Sequence, residues 1–368
     1  MYKYDVLIVG AGLFGSVLAE RLSSYGKNVL IVEKELQPGG TVATEDIKGI
    51  TTHLYGAHIF RTNSINVYNY VTDICSFKPF VNTPIAIHNN CAYNLPFNMN
   101  TFSKLWNITT PQEAKSIIQR QIDEYGLDRE PKNLEEYALS TVGRDVYEAF
   151  IRDYTEKQWN KPCTELPVET MRRIPIRYTY DNNYYTCKYQ GVPNIGYSNM
   201  IKRLLNHCGI TLLCGIDGKS FIAGNPNIAD TIVYTGCIDE YFNYKFGRLE
   251  YRSLRFETEI IDVSDYQGVA VVNHSDLIVP YTRTIEHKHF LGQKSDVTVV
   301  TKEYPQDYNG TNIPYYPIES EENIARYKQY LKLVPSNMTF AGRLGSYKYT
   351  SMDETVANAI SLANILVR

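Results

Sequence analysis

No C-x-x-C pair occurs in this chain, and its cysteines number seven, an odd count. That argues against a disulfide framework and a zinc site, and no metal is expected; it fits a reducing compartment. No apolar run is long enough to span a membrane. The apolar N-terminal run reads as a first strand rather than a secretion signal, so a cytoplasmic location is expected. No internal repeat and no low-complexity linker interrupts the 368 residues. Charge is nearly balanced, with 37 Lys+Arg against 40 Asp+Glu and a net charge of −3. Nothing global therefore points to nucleic acid or an anionic membrane as partner.

What is present is the composition of a globular protein, 43% hydrophobic and 21% charged, long enough for two or three domains. Tyrosine is abundant, at 31 residues. Its flat face and polar tip suit sugars and bases, though many tyrosines serve only core or surface.

The most informative stretch is residues 4–22, YDVLIVGAGLFGSVLAERL. A strand runs into Gly10, Gly12 and Gly15 and then into a helix, the start of a βαβ unit, which reads as a dinucleotide site rather than a glycine turn in a nucleotide-free α/β protein. Gly10 allows the tight turn, Gly12 lets backbone approach a pyrophosphate, and Gly15 lets the helix pack on the strand. Leu13 and Phe14 open the helix, whose positive end would receive the phosphates. A second strand, NVLIVEK, ends at Glu33 and Lys34. Glu33 follows Gly15 by 18 residues, where a ribose hydroxyl partner is expected.

Pro38-Gly39-Gly40-Thr41 is either a loop lying close to the cofactor or a surface turn. His58, in YGAHIFR, is either structural or catalytic. Residues 64–74 read as a helix and 84–97 as a hairpin. From 101 to 160 the pattern is helical, with Thr110-Pro111-Gln112-Glu113 a helix start and Val146, Phe150 and Tyr154 at helical spacing. Residues 171–198 read as loop, and their arginines suit either a polyanion or a solvated surface. A helix over 197–207 and a strand at Ile210–Cys214 follow. Thr231–Gly236 reads as a buried strand returning to the first sheet, with Gly236 against the cofactor. Residues 250–304 read as an antiparallel sheet. Met338–Gly345 is a further strand and glycine turn, followed by a helix near 353–366. Such a turn often closes over a flavin, so both chain ends would build one cofactor site.

The stretches GAGLFG (10–15), YGAHIF (55–60), NLPFNMNTF (94–102), YTEKQW (154–159), RRIPIRYTYDNNYY (172–185), YQGVP (189–193), LEYRSLRFETE (249–259), VPYTRTIEHKHF (279–290), VVTKEYP (299–305), PYYP (314–317) and GRL-x-x-YKY (342–349) closely resemble those of bacterial UDP-galactopyranose mutases. The resemblance covers nearly the whole chain. It implies an α/β fold with a Rossmann-like FAD-binding domain, an inserted helical domain and an antiparallel β-sheet domain. On that reading 1–80, 200–245 and 335–368 hold FAD. Residues 100–170 are helical and lead to a mobile loop at 170–185. Residues 80–100, 186–199 and 246–334 form the sheet and substrate domain.

The resemblance further implies a homodimeric isomerase that interconverts UDP-hexopyranose and UDP-hexofuranose without net redox change. Its FAD is active when reduced, by an external reductant such as NAD(P)H or a reductase. Flavin N5 attacks the anomeric carbon and the nucleoside diphosphate leaves and returns. This accounts for the lack of a Ser/Cys–His pair or carboxylate dyad. Arg173 and Arg283 resemble the pair that holds the diphosphate, and His58 the histidine beside the flavin. Tyr184 resembles the residue stacked on uracil, with Phe150 and Tyr154 lining the nucleotide pocket and Trp159 near the sugar. Asn82, Tyr315 and Tyr349 join the substrate set. Gly40, Thr41, Gly342 and Arg343 join the cofactor set. A flavin oxidoreductase of amine-oxidase type shares the N-terminal fold but would not need paired arginines.

Some positions depart from the family pattern. Arg61 stands where galactose-specific members usually have His, and related mutases that accept UDP-N-acetylgalactosamine carry Arg there. Thr41-Val42-Ala43 replaces Asn-x-Tyr, Ser351 replaces Asp, and Tyr68 replaces Trp. These changes are either drift or a changed sugar, including a deoxyhexose or heptose on dTDP, UDP or GDP.

Overall fold

In a computed structural model, which describes residues 4–170 and 176–368, three sheets of three or more strands organise the chain, beside a two-stranded pair of Thr44–Ile47 and Ile50–His53. Tyr4–Val9, Val29–Glu33, Ile210–Cys214, Ala229–Tyr234 and Met338–Phe340 form one parallel sheet. The first strand is central, between Val29–Glu33 and Ala229–Tyr234. Its run is apolar because both faces are covered. On one side Ile8 and Ile31 pack with Val17, Leu18 and Leu22 of helix Leu13–Ser24 and with helices Tyr197–Leu205 and Met352–Leu366. On the other, Leu7 and Leu30 pack with Ile238 and Tyr330. Each fully buried Leu or Ile here contributes about 1.5–3 kcal/mol.

The second sheet has seven strands. In order they are Tyr316–Pro317, Tyr251–Ile261, Thr298–Asp307, Arg283–Glu286, Val271–His274, Ile85–His88 and Cys91–Asn94. It is antiparallel except where Val271–His274 runs parallel to Ile85–His88. The expected hairpin at 84–97 is thus one edge of this sheet. TRTIEHKHF is not strand throughout, since Lys288–Leu291 is a helical turn.

The third sheet corrects the reading of 171–198 as loop. Tyr189–Pro193 is a strand between Phe60–Thr62 and Phe77–Pro79, separate from the seven-stranded sheet. Gly191 is needed there because a Cβ would lie 2.5 Å from the Lys78 carbonyl oxygen.

The helical region begins at Met99–Trp106, and Pro111–Tyr125 follows with the expected start. The Thr110 hydroxyl accepts from the Glu113 N–H at 3.3 Å, and Glu113 Oε2 accepts from the Thr110 N–H at 2.9 Å. Leu134–Leu139 is capped by Asn133. Val146, Phe150 and Tyr154 do not lie on one continuous α-helix. Tyr147–Ile151 is a π-helical turn, and Arg152–Trp159 resumes the α-helix. Among the described residues no helix is long and apolar enough to cross a membrane.

Candidate active site

The N-terminal glycine turn forms a cradle. Gly10 has φ of +104°, and a Cβ on it would lie 2.1 Å from Thr235 Oγ1. A Cβ on Gly15 would lie 2.0 Å from the Gly10 carbonyl oxygen, so the helix starts this close only with glycine. At Gly12 a Cβ would be only in ordinary van der Waals contact, 3.9 Å from Gly40 Cα. Gly12 pairs with Gly39 in a parallel bridge, and the Gly39 N–H donates to the Ala11 carbonyl at 2.9 Å. The Gly39-Gly40 turn, with Thr41 in its helical turn, therefore lies against the cradle rather than apart from it. Helix Leu13–Ser24 has no side-chain cap at Gly12, which leaves its positive end open to an anion.

Glu33 is buried, with Oε2 accepting from the Ala11 N–H at 2.6 Å and Oε1 from the Glu35 N–H at 2.9 Å. The carboxylate thus braces the glycine turn, and each oxygen keeps a lone pair. Lys34 is exposed, 3.9 Å from Glu35 Oε1. Leu13 and Phe14 are buried in the core. A Cβ on Gly342 would lie 3.5 Å from Phe14, so the two chain ends meet here. Gly236 lies against the ring of Tyr234.

A cavity of about 370 Å³ opens where the antiparallel sheet, the π-turn and helix at 147–159, and the 342–352 segment converge. It is lined by His58, Arg61, Asn82, Phe150, Tyr154, Tyr184, Arg283, Tyr315, Arg343 and Tyr349, ten residues singled out in the sequence. Trp159 is outside this lining and packs half-buried against the helical core. Arg173 lies outside the described residues.

Arg283 stands opposite Glu303 across the ladder, with Nε 3.5 Å from Glu303 Oε1. Nε donates to the Tyr154 hydroxyl at 3.1 Å. Among the described residues no hydrogen bond involves its two Nη groups. Burial works against the charge of Arg283. The Glu303 carboxylate, then Tyr154 and Tyr316, outweigh it and hold the pKa well above the ordinary value. The site is built to keep this guanidinium cationic.

His58 Nδ1 is 2.8 Å from the Gly56 carbonyl. A carbonyl only accepts, so Nδ1 carries the proton and Nε2 offers a lone pair. Burial lowers its pKa to about 4; the Gly56 bond opposes this, and Arg343 and Arg283 reinforce it. His58 is therefore neutral at physiological pH. Its backbone N–H donates to His53 Nδ1 at 3.1 Å, and the His53 N–H donates to His287 Nδ1 at 3.1 Å.

Arg61 sits over the Tyr185 ring with its guanidinium carbon 4.3 Å from the centroid, and Nη1 is 4.0 Å from Cys187 Sγ. Burial pushes the Tyr184 hydroxyl up to about 12, so it stays protonated. The Tyr315 hydroxyl donates to the Tyr55 carbonyl, and both residues line the cavity. Arg343 donates to the Tyr315 carbonyl at 3.4 Å and the Thr350 carbonyl at 3.3 Å.

Sequence reasoning missed Glu303, Tyr316, Tyr185 and Asn273, which also line the cavity. PYYP and NNYY each held the missed tyrosine beside a chosen one. VVTKEYP held Glu303, whose register against Arg283 no spacing reveals. Of the departures from pattern, Arg61 and Ser351 line the cavity. Tyr68 stacks on Tyr189 at 4.2 Å, and Thr41 lies at the cradle.

One trio outside the cavity has metal-ligand spacing, Asp265, Glu286 and His289. Glu286 already accepts from the N–H groups of Tyr266 and Gln267 and from Thr298 Oγ1, and Lys288 Nζ lies 3.4 Å from it. The protein itself already engages both oxygens of that carboxylate.

A family model described as UDP-galactopyranose mutase matches residues 149–349, and one described as an NAD(P)-binding Rossmann-like domain matches residues 8–75. The chain is 38% identical to a probable UDP-galactopyranose mutase of Klebsiella pneumoniae, over 99% of this chain and 95% of that one. It is 33% identical to a dTDP-fucopyranose mutase of Escherichia coli, over 99% and 98%. Its fold matches a crystal structure of reduced UDP-galactopyranose mutase with a TM-score of 0.75 at 14% identity, covering 100% of this chain and 94% of that one.

Proposed function

The chain belongs to the UDP-galactopyranose mutase family and is an isomerase, and from that membership we propose that it interconverts the pyranose and furanose forms of a UDP-hexose with FAD bound. The observation that carries the reading is Arg283, kept cationic in the cavity wall by Glu303 and Tyr154. A guanidinium whose two Nη groups bond nothing among the described residues suits a diphosphate that departs, waits and returns.

The cradle suits FAD. Gly12 and Gly40 pack against each other, a Cβ on Gly40 lying 3.1 Å from Gly12 Cα, beside the uncapped helix end that would take a pyrophosphate, and Gly342 and Arg343 bring the C-terminal turn to the same place. Reduced flavin supplies the nucleophile for the anomeric carbon. Arg283, with Arg173 as its counterpart, stabilises charge on the leaving diphosphate. Tyr184 stacks on the base, with Phe150 and Tyr154 beside it. Neutral His58 accepts a hydrogen bond at Nε2 without adding charge near the flavin. Trp159, Tyr315, Tyr349 and Asn82 shape the sugar end. A cytoplasmic homodimer supplied by an external reductant completes the proposal.

Arg61 favours UDP-N-acetylgalactosamine beside UDP-galactose. It brings donors and a permanent charge to the cavity wall. The Escherichia coli relative supports a second reading, a deoxyhexose on dTDP. Turnover on UDP-galactose, UDP-N-acetylgalactosamine and dTDP-fucose separates these. Conversion of none of the three would contradict the reading.

A further inference from the structure

Lys157 is outside the cavity lining, yet it ties two of the cavity's walls together. It follows Tyr154 by three residues on helix Arg152–Trp159. Its Nζ donates to the carbonyls of His274 at 2.8 Å, Asp276 at 2.9 Å and Val279 at 2.8 Å. An ammonium has three donors, and these three carbonyls satisfy all of them. His274 sits between Asn273 and Ser275, both of which line the cavity. One ammonium therefore pins the turn after strand Val271–His274 to the helix that holds Tyr154, and Tyr154 meets Arg283 at 3.1 Å. The end of the helix is fixed separately. The Gln158 carbonyl accepts from Arg252 Nε at 3.1 Å and Nη2 at 2.9 Å, and Asn160 Nδ2 donates to Asp307 Oδ2 at 3.1 Å. Those bonds dock the helix on the paired strands Tyr251–Ile261 and Thr298–Asp307 but do not reach the 274–279 turn.

The geometry points to Lys157 as a positioning residue for nucleotide-sugar binding, one that holds Tyr154, Asn273 and Ser275 in register with Arg283 through the main chain. This rests on the reading of the cavity as a nucleotide-sugar site. The groups facing Lys157 are Asp153 on its own helix, and His274 and Asp276 in the turn, with His88 bonded to Asp276 at 2.7 Å. Burial lowers the ammonium to about 8, with Asp276 and Asp153 opposing. Burial also lowers His274 to about 4, so it is neutral through the alkaline range. When Lys157 loses its proton, two donors and a lone pair face three carbonyl oxygens, and the turn loosens.

The test is UDP binding to the FAD-loaded protein by titration calorimetry at pH 7 and pH 9, for wild type and Lys157→Met, with FAD occupancy recorded. Loss of a charge-assisted bond predicts that wild type binds about tenfold more weakly at pH 9. Lys157→Met is expected to bind about tenfold more weakly at pH 7 and to show no change between the two pH values. A merely structural lysine would not produce that pH signature. Wild-type affinity in Lys157→Met, or an unaltered pH dependence in it, overturns the positioning role. Should Lys157→Met not retain FAD, the wild-type profile decides, and a flat one overturns the role. No UDP binding by wild type at pH 7 overturns the nucleotide-sugar reading itself, and the role with it.

Discussion

Arg283 donates its Nε–H to the Tyr154 hydroxyl at 3.1 Å, joining a strand of the seven-stranded sheet to the helix that follows the π-turn. That bond uses Nε, and among the described residues none engages the two Nη groups, which face a ligand in the account proposed above. Arg283→Lys keeps a charge beside Glu303 but loses the fork. It is predicted to lower kcat by about 100-fold with FAD still bound, as for loss of one transition-state donor. Arg173→Ala is predicted to do the same. Steady-state kinetics with flavin absorbance checks both, and near-normal kcat in either variant removes that arginine from the diphosphate site.

The proposed sugar preference rests on Arg61, stacked on Tyr185. Arg61→His shortens the side chain and removes a permanent charge and the stacking on Tyr185. The ratio of kcat/KM for UDP-N-acetylgalactosamine over UDP-galactose is predicted to fall by about tenfold. An unchanged ratio would exclude Arg61 as a determinant.

The cradle tolerates no side chain at Gly15. Gly15→Ala would put a methyl group 2.0 Å from the Gly10 carbonyl oxygen, so strand and helix must separate. The predicted result is protein purified without flavin and with a lower Tm. Full FAD occupancy in this variant would contradict the cradle assignment.

His53 and His287 are buried, and burial lowers both pKa values, His287 to about 3. The unfolded chain takes up protons below about 6.5 while the folded chain does not. Stability is therefore full above pH 6.5 and falls as the pH drops toward the folded values. For His287 the loss between pH 6.5 and 4.5 is about 2–3 kcal/mol. Urea unfolding across that range checks it, and stability independent of pH there would contradict burial of the neutral rings.

Much of this was legible in local pattern. Gly10, Gly12 and Gly15 stand out because one short segment carries strand, turn and helix together, and Thr110 to Glu113 because caps are local. Tyr189–Pro193 was hidden because Gly191 and Pro193 read as a turn, whereas the glycine is there to let Lys78 come close. The π-turn was hidden because Val146, Phe150 and Tyr154 keep a helical spacing in sequence. Glu303 was missed because its partner Arg283 is fixed by cross-strand register, which a single strand does not encode. The substrate residues were chosen through family resemblance, and eight of them meet, with His58 and Arg343 of the cofactor set, at one cavity that composition alone could not have assembled.

The most direct test of the account compares oxidised with dithionite-reduced, FAD-loaded protein on a UDP-hexofuranose, following the pyranose by chromatography. The account predicts pyranose formation by the reduced protein, little by the oxidised protein, and no net consumption of reductant. Equal conversion in both states, or flavin reduction by the nucleotide sugar itself, would contradict it.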